Sequence, residues 1–228
     1  MEEFNLKQVK KSLILNILIF IITVFSCYAM FAGIYFMSGD KEYALSSKNL
    51  SMFKYFTIDS NVLIAIASLI FAIEECKILK KKKIGISKGL YLLKLSATGS
   101  VGLTFLVTFA YLVPIVGYGF KAMIMNSNLF FHLITPLLAI FTFVLFEKTN
   151  KIGKKEVIVG IVPTACYAIY YLINIVTHMT DGKVSPEYDW YFFMQGGIWT
   201  AFIVVPLMLL ITYLINLFLW KTNKTLVK

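Results

Sequence analysis

The sequence predicts an all-α polytopic membrane protein, and three observations carry that expectation. Of the 228 residues, 59% are hydrophobic and only 15% are charged, whereas a soluble domain carries about a quarter charged residues. Mean hydropathy is +0.78. Apolar runs of about 20 residues recur along the chain, each long enough to cross a hydrocarbon core of roughly 30 Å.

Six such runs are read, at residues 12–36, 55–74, 90–117, 128–146, 157–179 and 198–220. The first follows Lys7, Lys10 and Lys11, as a signal peptide would, but it exceeds the roughly 7–15 apolar residues of a signal h-region. The stretch "VFSCYA" around Cys27 resembles a lipoprotein cleavage site, yet the run is read as a retained first span. Connections are short, so residues 1–228 are expected to form a single transmembrane domain without a soluble catalytic unit. No internal repeat of the kind frequent in secondary transporters is visible.

Lysine placement sets the expected orientation. Sixteen lysines fall in the N-terminal tail, the second and fourth connections and the C-terminal tail, and five in the opposite connections. Lysine-rich connections stay in the cytoplasm, so six spans with both termini cytoplasmic are expected. Lys94, near the inner end of the third span, is expected to snorkel toward water. Prolines in spans four, five and six (Pro136, Pro163 and Pro206) predict kinks.

All of the positive charge is lysine, with no arginine in the chain. Nucleic-acid readers depend on arginine for bidentate contacts, so no nucleic-acid partner is expected. The Lys80–Lys83 run reads as an anchor on anionic headgroups. Cys27, Cys76 and Cys166 show neither a zinc spacing nor a disulfide framework. With two histidines and no HExxH, phosphate loop or nucleophile elbow, neither metal nor cofactor is expected.

The second run opens on a polar cluster, Thr57, Asp59, Ser60 and Asn61, where hydrocarbon should begin. These residue types cap helix N-termini. Thr57, Ser60 and Asn61, however, share one helical face by their spacing, while Asp59 points elsewhere. In the fourth run, His132 lies about one turn below the same outer boundary, and ionisable groups inside a bilayer mark functional sites. A weak hydroxyl nucleophile needs a neighbouring base, and histidine is the usual one. Thr57 and His132 are the candidate catalytic pair. Ser60, Asn61, Asn128, Asp59 and His178 are candidates to orient them or to stabilise an oxyanion.

The stretch Phe53-Lys54-Tyr55-Phe56-Thr57 resembles a motif of the family of androgen-induced gene 1 protein and androgen-dependent TFPI-regulating protein: aromatic, Lys, aromatic, apolar, Thr at the head of the second span. Asn128-Leu-Phe-Phe-His132 is similar to the family's Asn-x-x-x-His at the head of the fourth. Bacterial six-pass membrane proteins with a "YFTIxSN" segment and a histidine before a proline resemble the chain too. The resemblance implies an intramembrane hydrolase of fatty acid esters of hydroxy fatty acids or related acyl esters, with Thr57 as nucleophile and His132 as base. It also implies a lipid substrate and a bacterial plasma membrane. Two departures bear on the substrate: Pro136 stands one residue nearer the histidine than in that family, and "SPEYDWYFF" replaces its Tyr-Pro-Phe. The alternative reading is a small-solute transporter or lipid-binding protein without catalysis. The aromatic run Tyr188–Phe193 reads first as an interfacial belt and only second as a lid over the site.

Overall fold

The computed structural model describes residues 6–37, 47–81, 85–147 and 151–226. Lys41, Lys82, Lys83, Lys148 and Lys228, counted above, lie outside the described residues. The described chain is helical, with one isolated bridge between Thr180 and Lys183. Long apolar runs become helices because a helix satisfies its own backbone groups where water is absent. The principal helices are α1 (Leu6–Ala32), α2 (Phe56–Leu79) and α3 (Lys88–Val107). Short α4 (Phe120–Met123) and α5 (Ser127–Leu129) precede α6 (Thr135–Leu145), α7 (Val162–Thr177) and α8 (Ala201–Leu226).

Among the described residues, five helical stretches are long and apolar enough to cross a membrane: Leu6–Ala32, Lys88–Val116, Ser127–Leu145, Lys154–Thr177 and Ile198–Thr225. They match five of the six expected spans within a few residues, except that the first begins six residues early. The sixth expected span is α2, a 24-residue helix that is not among those five.

The polarity of the bundle is inverted relative to a water-soluble protein. On α1 the buried face includes Ser12, Asn16, Ile19, Thr23, Ser26 and Met30, while Ile14, Ile17, Ile21, Val24 and Tyr28 are exposed. On α8, Thr212, Asn216 and Asn223 are buried and Phe202, Ile203, Leu210 and Phe218 are exposed. Lipid is as apolar as leucine, so helices associate through small and polar side chains and leave large apolar ones outward. At the centre is α3, whose stretch Ser96-Ala-Thr-Gly-Ser-Val-Gly102 is buried.

Prolines mark the irregular turns. Thr108–Val116, continuing α3, is π-helical and contains Pro114. Phe130–Ile134, between α5 and α6, is also π-helical and directly precedes Thr135-Pro136. Pro136 has no N–H for the carbonyl four residues earlier, that of His132, which accounts for a widened turn there. Pro206, in contrast, sits inside a continuous α8.

Lys94 does not snorkel. Its side chain is fully buried in an ion pair with Glu147 at 3.1 Å, on which Asn16 and Ser68 also converge.

Candidate active site

Thr57 is the second residue of α2, and the expected capping by its polar cluster is not what the structure shows. The cap position is Tyr55, whose side chain makes no capping hydrogen bond. The first N–H groups of a helix still need acceptors, and two phenols from elsewhere in the chain lie beside them. Tyr191, in the connection before α8, interacts with the N–H groups of Phe56 and Thr57 and with the Thr57 hydroxyl. Tyr167, on α7, interacts with the Phe56 N–H and donates to the Lys54 carbonyl at 2.6 Å. Trp190 Nε1 in turn donates to the Tyr167 oxygen at 3.0 Å.

The other polar residues of α2 hold the helix in place. Asn61 Nδ2 donates to the Thr57 carbonyl at 2.7 Å and to the Phe131 carbonyl at 3.1 Å. One buried amide thus ties the backbone of Thr57 to the residue preceding His132. The Ser60 hydroxyl meets the Thr104 hydroxyl of α3 at 2.9 Å and donates to the Thr57 carbonyl at 3.1 Å. Asp59 is half-buried, and no described ion pair joins it to Lys54, whose ammonium lies over the rings of Tyr55 and Trp190.

His132 is 5% exposed, and its Nδ1 lies 3.0 Å from the Met123 carbonyl. A carbonyl only accepts, so Nδ1 carries the hydrogen and, in the neutral ring, Nε2 keeps a lone pair. Asn128, one helical turn earlier, donates to the Ala122 carbonyl at 3.0 Å. Both contacts hold α5 and the π-helical segment against the end of α4.

Thr57 and His132 wall the same cavity, of about 120 Å³, with Asn128, Tyr118, Tyr191 and Trp190. A second cavity, of about 70 Å³ and almost wholly apolar, also touches Thr57. It runs between α3, α7 and α8, lined by Leu103, Val107, Ala168, Val205 and Met208 among others. Thr57, Leu112 and Tyr191 belong to both walls.

Of the sequence candidates, Thr57, His132 and Asn128 come together at one cavity. Ser60 and Asn61 stand behind Thr57 as ties to neighbouring helices. His178 is exposed; its ring stacks on Tyr188 at 3.8 Å and its Nδ1 bonds the Asn174 carbonyl.

Tyr191 is the residue that sequence reading missed. The run Tyr188–Phe193, expected as an interfacial belt, folds inward: Asp189 is 3% and Tyr191 7% exposed. Asp189 accepts from Tyr171 and from the N–H groups of Phe193 (3.0 Å) and Met194 (2.9 Å), which pins the segment over the cavity. Burial pushes the Tyr191 phenol up to about 12, so it remains a hydrogen-bond donor at neutral pH. A carboxylate among aromatics, which an interfacial belt does not require, was the available signal. Comparison with protein-family models, characterised proteins and solved structures finds no match for the chain.

Proposed function

We propose that the protein is a six-span membrane hydrolase of lipid esters, with Thr57 as nucleophile and His132 as base. In this reading α2 is the second span: 24 residues extend about 36 Å at 1.5 Å each, more than a hydrocarbon core of roughly 30 Å. On the same reading the membrane is a bacterial plasma membrane, both termini are cytoplasmic and the Thr57 end of α2 lies in the outer half of the bilayer. The excess of lysine in the tails and in the second and fourth connections supports that orientation.

Thr57 Oγ attacks the ester carbonyl as His132 Nε2 takes its proton. The tetrahedral oxyanion collapses to an acyl-threonine, and the departing alkoxide recovers the proton from His132. A water molecule, deprotonated by the same nitrogen, then releases the fatty acid and restores Thr57. The Tyr191 phenol, a neutral donor beside the hydroxyl, serves the oxyanion. The apolar cavity beside Thr57 takes the acyl chain, and the polar one takes the alcohol portion. The lipid substrate supplies all other atoms, and no cofactor enters.

The observation that carries this reading is the shared cavity of Thr57 and His132. Labelling of the detergent-purified protein by a fluorophosphonate probe tests it. Wild type is expected to label, while Thr57→Ala and His132→Ala, with helix content and monodispersity retained, are not. Labelling indifferent to Thr57, or none in a well-folded wild type, would remove the hydrolase reading. The second reading, a small-solute transporter or lipid-binding protein, then moves first. Buried charges at the far end of α2 favour it, because ionisable groups inside membrane bundles often mark ion or proton pathways.

A further inference from the structure

Four segments meet in a second polar centre, about 27 Å from Thr57 along α2 at 1.5 Å per residue. Lys94 (α3) and Glu147 (just past α6) have side chains with no exposed surface, and their charged atoms lie 3.1 Å apart. Glu75 (α2) is 2% and Asn16 (α1) 0% exposed. Lys94 commits its three donors to Asn16 Oδ1, Ser68 Oγ (2.7 Å) and Glu147 Oε1. Asn16 Nδ2 lies 2.9 Å from Glu147 Oε1, 3.3 Å from Glu75 Oε2 and 3.2 Å from Ser12 Oγ. Both carboxylates are therefore held within 3.3 Å of one amide nitrogen.

The charges do not balance. Two carboxylates face one ammonium, and among the described residues no second cation is paired to them. The nearby charged groups are committed or exposed: Glu74 pairs with Lys77 at 2.8 Å, and Lys11 is exposed on α1 with its ammonium 5.7 Å from the Phe146 ring centroid. On α8, Asn223 donates to the backbone carbonyls of Phe143 and Glu147. On α3, Tyr91 packs its ring on Phe71. Glu147 Oε2 is buried with no hydrogen-bond partner. An unpaired buried charge costs several kcal/mol, so the excess must be neutralised by something small. A divalent metal ion asks for about six oxygens or more. Here the ammonium already occupies the centre, and few oxygens remain.

We propose that Glu75, Glu147, Lys94 and Asn16 form a proton-binding site that holds one exchangeable proton between the two carboxylates. Losing the proton leaves an uncompensated negative charge where α1, α2, α3 and the end of α6 meet, so occupancy is coupled to how closely these segments pack. The inference stands independently of the Thr57–His132 reading.

Charge counting sets the test. Infrared difference spectra are recorded at neutral pH on the full chain in lipid nanodiscs, each variant against wild type, reading the carboxylic-acid C=O band of buried groups. Wild type is expected to show one such band from the cluster. Glu75→Gln loses it, because Glu147 alone balances Lys94. Glu147→Gln also loses it, because Glu75 then becomes the sole counter-ion. Lys94→Gln doubles it, since both carboxylates must then be neutral. If Lys94→Gln fails to fold, the two glutamine variants and wild type still decide. A wild type whose spectrum neither glutamine variant changes in this band would overturn the proposal, leaving a plain salt bridge. Loss of the wild-type band when sodium chloride replaces choline chloride at constant pH would overturn it in favour of an alkali-cation site.

Discussion

His132 has one ring nitrogen committed to the Met123 carbonyl, which leaves the lone pair of the neutral ring on the other. Tyr191 is a neutral phenol beside Thr57. If it serves the oxyanion, Tyr191→Phe lowers kcat by about 100-fold with KM little changed, the usual size of one lost oxyanion donor. A comparable rise in KM with kcat intact would make it only a wall. Exposed His178 supplies the control: His178→Ala is expected to leave hydrolysis unchanged. Asn61 acts through position, holding the carbonyls of Thr57 and Phe131. Asn61→Leu is expected to cost about 2 kcal/mol through two lost buried hydrogen bonds. It should also lower turnover, measurable by thermal unfolding in detergent beside an ester-hydrolysis assay. Thr57 and His132 were legible as candidates in the sequence because polar side chains stand out at the head of an apolar run, and both line one cavity. Tyr191 was not, since a tyrosine in an aromatic loop fits an interfacial belt equally well.

Among the elements, α3 depends on close approach. An added Cβ at Gly99 or at Gly160 would lie well inside van der Waals distance of the Asn216 amide of α8. Asn216 donates to the Thr212 carbonyl of its own helix at 2.8 Å and wedges its side chain between the two glycines. Gly99→Ala therefore overfills the contact and is expected to cost about 1–3 kcal/mol. Adding Asn216→Ala should recover part of the loss, giving a coupling energy in a double-mutant cycle. Strictly additive losses would mean that the two sites do not share this contact. The sequence indicated the five apolar helices to within about six residues at each end, because lysines, a glycine or a turn interrupt each run. Gly33, at φ +68°, ends α1 with Ile34 N–H bonded back to Ala29 at 2.8 Å. The π-helical turn at His132 was only half legible: Pro136 predicts a kink, but not that the helix widens at the histidine.

For the molecule as a whole, the proposed six-span topology predicts which end faces which side. In a chain lacking Cys27, Cys76 and Cys166, Lys183→Cys is expected to react with a membrane-impermeant maleimide on intact cells. Lys154→Cys should react only after permeabilisation. Both residues are exposed, so equal labelling of both on intact cells would overturn the orientation. The sequence by itself determined the all-helical membrane class, the approximate helix limits and the polar residues, Thr57 and His132 among them, that interrupt the apolar runs. Each depends on local composition, because hydropathy and isolated polar residues are properties of a single segment. Only the tertiary structure decided that Tyr191 turns inward, that Asn61 ties two helices rather than capping one, and that Lys94 is buried against Glu147. These outcomes depend on which helices become neighbours. A buried charge or phenol takes the partner that packing brings within about 3 Å, and that partner stands far away along the chain.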